Sequence, residues 1–292
     1  MDNTYGRALR RGVQRLRAAG VASPEWDARI MAAHLIHCGH MDIPLDQSPM
    51  PGFDVAFDAL LRRREAREPL QYVLGSTWFG PLELKVGPGV FIPRPETEVM
   101  ADWAVRNAEG PRLVDLCTGT GALALYLHHY LPDAQVKAVE FADAALAYTQ
   151  ANTRNTGVEV IQADATVDDT LAEWNGTVDL LVTNPPYVPE TSDLEPEVYH
   201  DPHNAVFAGT DGMGVITGLI PTIARLVRPG GKLAIEHDDS TSEAVQAALV
   251  RHGGFEQIAP LQDLTGTPRF VTAVRGVCLL YTSDAADDVI DV

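Results

Sequence analysis

Cysteine is scarce in this chain. Its three thiols, Cys38, Cys117 and Cys278, lie far apart and show neither a metal-ligand spacing nor a disulfide framework, so reduced thiols are the economical reading. Long apolar runs are missing too. No stretch reaches the roughly 18 residues that a membrane-spanning helix needs, and the opening M-D-N-T-Y-G-R has no signal-peptide core, so a cytoplasmic protein with no membrane partner is expected. Positive charge is thin beyond residue 70. Residues 1–70 hold 10 basic and 9 acidic side chains, whereas the remaining 222 carry 12 basic and 31 acidic, within an overall net charge of −18. A surface that acidic repels phosphate backbones, which argues against a direct nucleic-acid substrate, and it would tolerate or attract a basic protein. What the chain has in quantity is apolar content, 46% over 292 residues, enough for one large or two ordinary globular domains.

The first 70 residues read as helical. Leu9, Val13 and Leu16 share one helix face, and Ser23-Pro24 forms an N-cap and first turn for a second helix that Gly39 closes. Phe53, Phe57, Leu60 and Leu61 mark a third, ending in Arg62-Arg63-Arg64. His34, His37 and Cys38 share a face, yet no carboxylate lies beside them, so a packed helix end is preferred over a metal site. Residues 71–95 interleave aromatic and aliphatic residues with glycines, a β-hairpin connector that runs into Phe91-Ile92-Pro93-Arg94-Pro95-Glu96-Thr97-Glu98 and a helix start near Glu96.

From Leu113 strands and helices alternate, the pattern of a doubly wound α/β sheet. Strands are expected at 113–116, 136–139 ending in Glu140, 158–162 ending near Asp164, 178–183, 232–235 ending in Glu236-His237, 255–258 and 269–274, a sheet of about seven. Helices are expected at 215–227, stopped by Pro229-Gly230-Gly231, and at 242–251. The domain organisation that follows is 1–70 helical recognition, 71–95 linker and 96–276 catalytic. Residues 277–292 lack turn signals and periodicity and read as a disordered or non-native tail.

The stretch that organises the chain is Val178–Val188, V-D-L-L-V-T-N-P-P-Y-V. Neither proline can donate to a sheet ladder, so the strand ends at Asn184. Ligands of open parallel sheets sit beyond the carboxyl ends of the strands, where Asn184, Pro185, Pro186 and Tyr187 form a stiff corner. It offers the Asn184 side-chain oxygen and turn carbonyls as acceptors, with the Tyr187 ring as a wall, a shape suited to holding a planar NH₂ group.

After the first strand of the sheet comes Cys117-Thr118-Gly119-Thr120-Gly121, a turn that lets a ligand approach the backbone and offers N–H groups at a helix start. Glu140, 19 residues beyond Gly121, is placed to accept from both hydroxyls of a ribose, and Phe141 can lie on an adenine. The spacing is not G-x-G-x-x-G, and no hydride-transfer arrangement accompanies it. S-adenosylmethionine fits better, with its amino-acid end at the loop, its ribose at Glu140, its adenine at Phe141 and the Asp164 region, and its methyl aimed at Asn184.

D-L-C-T-G-T-G, E-P-L-Q-Y-V-L-G, F-I-P-R-P-E-T-E and T-N-P-P-Y-V, in this order and spacing, resemble the HemK/PrmC protein-glutamine methyltransferases over residues 5–275 or so. N-P-P-Y alone is shared with adenine-specific DNA methyltransferases; the P-R-P-E-T-E stretch behind a helical N-terminal domain is more specific. The resemblance implies a class I S-adenosylmethionine-dependent methyltransferase, with a Rossmann-like sheet. It implies modification of the glutamine of the Gly-Gly-Gln motif in peptide chain release factors; a monomer is expected, though the sequence itself does not reveal the oligomeric state. It also implies cofactor contacts at Cys117, Thr118, Gly119, Thr120, Gly121, Glu140, Asp164 or Ala165, and Asn184, and substrate contacts at Asn184, Pro185, Pro186 and Tyr187. The expected chemistry is in-line transfer to an amide nitrogen held by Asn184 and the Pro185 carbonyl, with no general base. An adenine methyltransferase, a non-catalytic cofactor-binding module and a methyltransferase of another protein glutamine are the alternatives. Two departures stand out. Cys117 occupies a position where the family usually has glycine, and Glu236-His237-Asp238 replaces a Glu-His-Gly-like strand end, a change expected to alter a loop rather than the chemistry.

Overall fold

The computed structural model describes residues 3–167, 169–189 and 195–276. The tail at 277–292, and with it Cys278, lies outside the described residues. Among the described residues no helix is long and apolar enough to cross a membrane.

Three helices, α1 (Tyr5–Ala18), α2 (Pro24–Ile36) and α3 (Phe53–Glu65), pack around a small core that includes Leu16, Met31, Phe53, Phe57 and Leu61. The Thr4 hydroxyl accepts from the Arg7 N–H and caps α1. Helix α2 stops before Gly39, because His37 itself takes the left-handed conformation (φ 53°) and closes the helix, a role that glycine or asparagine usually fills. A short helix, α4 (Leu70–Leu74), occupies the start of the expected connector, so the hairpin is confined to β1 (Ser76–Phe79) and β2 (Leu82–Lys85). Its five residues are too few for a helical period to show in sequence.

The larger unit opens with α5 (Thr97–Asn107), followed by β3 (Arg112–Leu116), α6 (Ala122–Tyr130), β4 (Gln135–Glu140), α7 (Asp143–Thr153), β5 (Glu159–Gln162) and β6 (Val178–Thr183). Then come a short α8 (His203–Val206), α9 (Gly214–Leu226), β7 (Val227–Glu236), α10 (Ser242–His252), β8 (Phe255–Gln262) and β9 (Pro268–Arg275). The sheet order is β5-β4-β3-β6-β7-β9-β8, with β3 through β7 parallel and β9 antiparallel to both its neighbours. Strand β6 has every residue buried, since helices cover both faces of a parallel sheet. Strand β7 begins at Val227 and runs through Pro229-Gly230-Gly231 rather than after them; a register shift opposite Val178–Leu180 accommodates the proline. Because β4 and β6 flank β3 on opposite sides, the chain reverses direction across the sheet there, and a crevice opens beyond the carboxyl ends of these strands.

The helical segment is tied to the chain just past β6 by ions. Arg67 donates through Nε and Nη2 to both carboxylate oxygens of Glu197, at 2.8 and 2.6 Å, and Arg64 reaches Glu197 at 2.8 Å and the buried Asp27 at 2.7 Å. Against the burial that would raise it, these arginines hold the Glu197 carboxyl down at about 2. The Arg64→Met change leaves Asp27 without its buried partner and strips one from Glu197, and is expected to cost about 3–5 kcal/mol. Arg62→Met, at a side chain 75% exposed, is expected to change stability by less than about 0.5 kcal/mol. Denaturant midpoints of the two variants check the contrast, and equal midpoints refute it.

Candidate active site

The crevice is a cavity of about 380 Å³, within the range that holds small-molecule ligands. Its wall brings together Cys117, Thr118, Gly119, Thr120, Glu140, Phe141, Asp164, Ala165, Asn184, Pro185, Pro186 and Tyr187. Of the residues expected at the site, Gly121 alone is not at the wall; with φ 84° it is the left-handed N-cap of α6.

The loop from Cys117 to Gly121 is held from below and from the side. Asp115, at the buried end of β3, accepts on Oδ2 from the Thr118 hydroxyl (2.5 Å) and the Ala124 N–H (3.1 Å), joining loop to helix start. From α7, Thr149 donates to the Gly119 carbonyl at 2.5 Å and Asn152 to the Thr120 carbonyl at 2.9 Å. Several loop N–H groups are already engaged: Thr118 donates to Val139, Gly121 to Thr118, and Gly119 to Glu140 Oε2 at 2.8 Å. The loop thus offers a ligand its shape more than a set of free donors. Glu140 also accepts from the Ala142 N–H at 2.8 Å, so it pins the loop to the end of β4; each oxygen keeps one further acceptor site for a hydroxyl. Phe141 is 65% exposed at the rim, an apolar face open to a planar ring. Asp164 closes a turn by accepting from the Thr166 N–H and hydroxyl, at 2.9 and 2.6 Å.

Cys117 has φ 59°, the left-handed region in which glycine carries no penalty and other residues are strained. Burial pushes its thiol up to about 12, so it is a neutral thiol at physiological pH. At the corner, Pro185 is buried and Asn184 and Tyr187 are half-buried. Asn184 Nδ2 lies 3.4 Å from the Thr97 hydroxyl, and the Tyr187 hydroxyl donates to Glu236 Oε1 at 3.0 Å. A Cβ at Gly212 would stand 2.2 Å from the Tyr187 carbonyl, so only glycine lets the following segment close over the corner.

Some of the wall was not foreseen. Phe91, Pro93 and Thr97 line it from the P-R-P-E-T-E side, a stretch legible only as stiff and proline-rich. Pro202, Asn204, Ala205 and Val206 line it from α8 and the turn before it, and no sequence pattern marks them. Asp238 accepts from Ser240 and so heads a loop turn as expected, but Glu236 reaches the corner itself.

A family model described as the PrmC N-terminal domain matches residues 7–75, and one described as the methyltransferase small domain matches 95–201. The release factor glutamine methyltransferase of Corynebacterium glutamicum is 53% identical over 279 residues, covering 92% of this chain and 98% of that protein. The chain belongs to the release factor glutamine methyltransferase family. The proteins so named from Mycolicibacterium smegmatis (49% identical; 92% of this chain, 96% of that protein) and Streptomyces coelicolor (43%; 90% and 95%) agree. Among solved structures, the hMettl16 catalytic domain in complex with the MAT2A 3′UTR hairpin 6 matches at a TM-score of 0.52 and 15% identity, over 77% of this chain and 82% of that one. That likeness shows the class I methyltransferase fold.

Two expectations follow from this geometry. Cys117→Gly exchanges the strain of φ 59° for a more flexible unfolded chain and is expected to change stability by less than about 1 kcal/mol, whereas the β-branched Cys117→Val costs at least about 2 kcal/mol; a harmless valine in chemical denaturation refutes the assigned conformation. Burial pushes the Asp115 carboxyl up to about 7, above its unfolded value of about 3.9. A group shifted upward stabilises fully below its unfolded pKa and loses that contribution as pH rises through the folded one. The melting temperature of Asp115→Asn is therefore expected to gain on wild type between about pH 5 and pH 8, and a constant difference refutes it.

Proposed function

We propose that this protein transfers the methyl group of S-adenosylmethionine to the side-chain amide nitrogen of the glutamine in the Gly-Gly-Gln motif of peptide chain release factors, in the cytoplasm and as a monomer. The observation that carries the reading is the joining, in one cavity, of the glycine loop and Glu140 with the rigid Asn184–Tyr187 corner, in a chain of this family. The cavity fits the cofactor. It has a close-approach loop, a carboxylate with acceptor capacity left for ribose hydroxyls, and an exposed aromatic face at its rim.

S-adenosylmethionine bound there supplies an electrophilic methyl on a sulfonium. The chain's own residues supply position. An amide nitrogen is a poor nucleophile because its lone pair is delocalised, so the site gains by holding it in line and favouring its pyramidalisation. Asn184 Oδ1 and the Pro185 carbonyl accept its two hydrogens, an interaction that strengthens as positive charge develops on nitrogen, and one of those protons passes to water once the new N–C bond has formed, leaving the neutral N-methyl amide. Glu140 and Asp164, the carboxylates at the wall, are engaged by loop N–H and hydroxyl donors, in keeping with holding rather than deprotonation. In this reading residues 1–70 recognise the protein substrate, 71–95 link, and 96–276 carry the chemistry.

The test is transfer of labelled methyl to a purified release factor, beside its Gln→Ala variant and a duplex DNA control. Label on the wild-type factor alone is expected; label on DNA moves the protein to the adenine-modifying branch and refutes the reading. Asn184→Ala is expected to lose turnover by at least about two orders of magnitude while cofactor affinity falls less than about tenfold. Equal loss of both removes Asn184 from the chemistry.

A further inference from the structure

Asn184 can serve as proposed only in one of two orientations. Its side-chain amide has an oxygen that accepts and an NH₂ that donates, and the two exchange places by a half-turn about the last torsion. With the NH₂ toward the cavity, donor would face donor and the substrate amide would be repelled. Something behind Asn184 must choose.

Thr97 stands there, 3% exposed at the start of α5, with its hydroxyl oxygen 3.4 Å from Asn184 Nδ2. A hydroxyl carries one hydrogen, so the direction in which Thr97 donates decides what it can accept. Next to it is Glu236, 2% exposed at the end of β7, which takes the Tyr187 hydroxyl on Oε1 at 3.0 Å. The Thr97 hydroxyl is the neighbour that most opposes the upward push of burial on this carboxyl. Oε2 is buried with no fixed partner among the described residues and is the acceptor open to the Thr97 hydrogen. The remaining charges facing Glu236 are Glu96, beside Thr97, and Arg269, whose guanidinium is held by Asp263 at 2.8 Å. When Glu236 is ionised and takes the Thr97 hydrogen on Oε2, the Thr97 oxygen can only receive one, and the group facing it must be the Asn184 NH₂.

We propose that Thr97 and Glu236 are positioning residues that lock the Asn184 amide oxygen toward the cavity, while Glu236 fixes the Tyr187 ring through its hydroxyl. The inference rests on the reaction proposed above and adds to it the polarity of the corner. One buried carboxyl anchors both ends of N-P-P-Y, and the P-R-P-E-T-E stretch contributes the hydroxyl that transmits its direction.

The chain's own isosteres separate direction from packing. Thr97→Val keeps the shape and removes the relay, and is expected to lower kcat at least about thirtyfold with the KM for S-adenosylmethionine within about threefold of wild type. Thr97→Ser, which keeps the hydroxyl, restores kcat to within about threefold. Glu236→Gln turns a donor toward Thr97, reverses the hydroxyl and is expected to behave as Thr97→Val, with the double variant no worse than either alone. Serine falling as far as valine, or both Thr97→Val and Glu236→Gln keeping kcat within about threefold, overturns the proposal. A readout independent of turnover uses the full chain with ¹⁵N-labelled asparagine. The Asn184 side-chain NH₂ is expected to exchange with solvent more slowly in wild type than in Thr97→Val, and equal exchange overturns the proposal. Absence of methyl transfer by wild type with that difference present would instead count against the reaction alone.

Discussion

Two consecutive residues without an N–H set the position of everything at this site. Pro185 and Pro186 cannot extend the β6 ladder, and β6 lies between β3 and β7 with all its residues buried, so the strand has no freedom to slide. The end of the strand, the two fixed φ angles and the sealed register together deliver Asn184 to one point at the mouth of the crevice. The neighbouring strands then bring their own ends to the same level: β3 its loop, β4 its Glu140, β7 its Glu236. A slip of one residue in any parallel pair would turn these side chains to the other face of the sheet.

Three carboxyls at those strand ends do different work because their surroundings differ. Glu140 lies under the loop and spends its charge on backbone N–H groups. Asp115 is sealed beneath the same loop, where burial pushes its carboxyl up to about 7, and it gathers a hydroxyl and the first turn of α6 on a single oxygen. Burial raises Glu236 likewise to about 7, but its partners are hydroxyls from the corner and from α5. Asp115 and Glu236 are buried away from the cavity wall and Glu140 is engaged by two N–H groups, which suits a reaction whose difficulty lies in orienting an amide nitrogen.

The strands of the parallel sheet were legible because the buried centre of the sheet makes them short, mostly apolar and β-branched, and β6 begins and ends where its sequence says. The loop, Glu140 and the proline corner were legible because they sit at strand ends, where the α/β topology places ligands. Thr97 and Glu236 were not. Each acts on a cavity residue from behind, and a contact across 87 or 49 positions of sequence leaves no local pattern. The same holds for the passage of β7 through Pro229, which depends on a shift against β6, and for His37, whose left-handed backbone a histidine does not advertise. Cys117 is an intermediate case: the glycine-rich setting marked the turn, while its positive φ needed coordinates.

The charges of the helical segment are largely paired with one another and with the rest of the chain. Its ten arginines stand against nine acids, a near-neutral balance, and most of them are committed within the molecule. Arg15 is bound to Asp58 and Glu65, Arg63 to Glu68, and Arg11 to Asp54, while Arg64 and Arg67 converge on Glu197. From the connector, Arg94 joins Asp201 at 2.7 Å, beside the Tyr72 hydroxyl at 3.0 Å. Glu197 and Asp201 both belong to the segment that leads from the corner to α8, and α8 forms part of the cavity wall. The buried members of this set work in a low dielectric, where geometry counts for more than ionic strength. Arg64 and Arg67, together with Arg94 of the connector, therefore hold the far wall of the crevice against the helical segment.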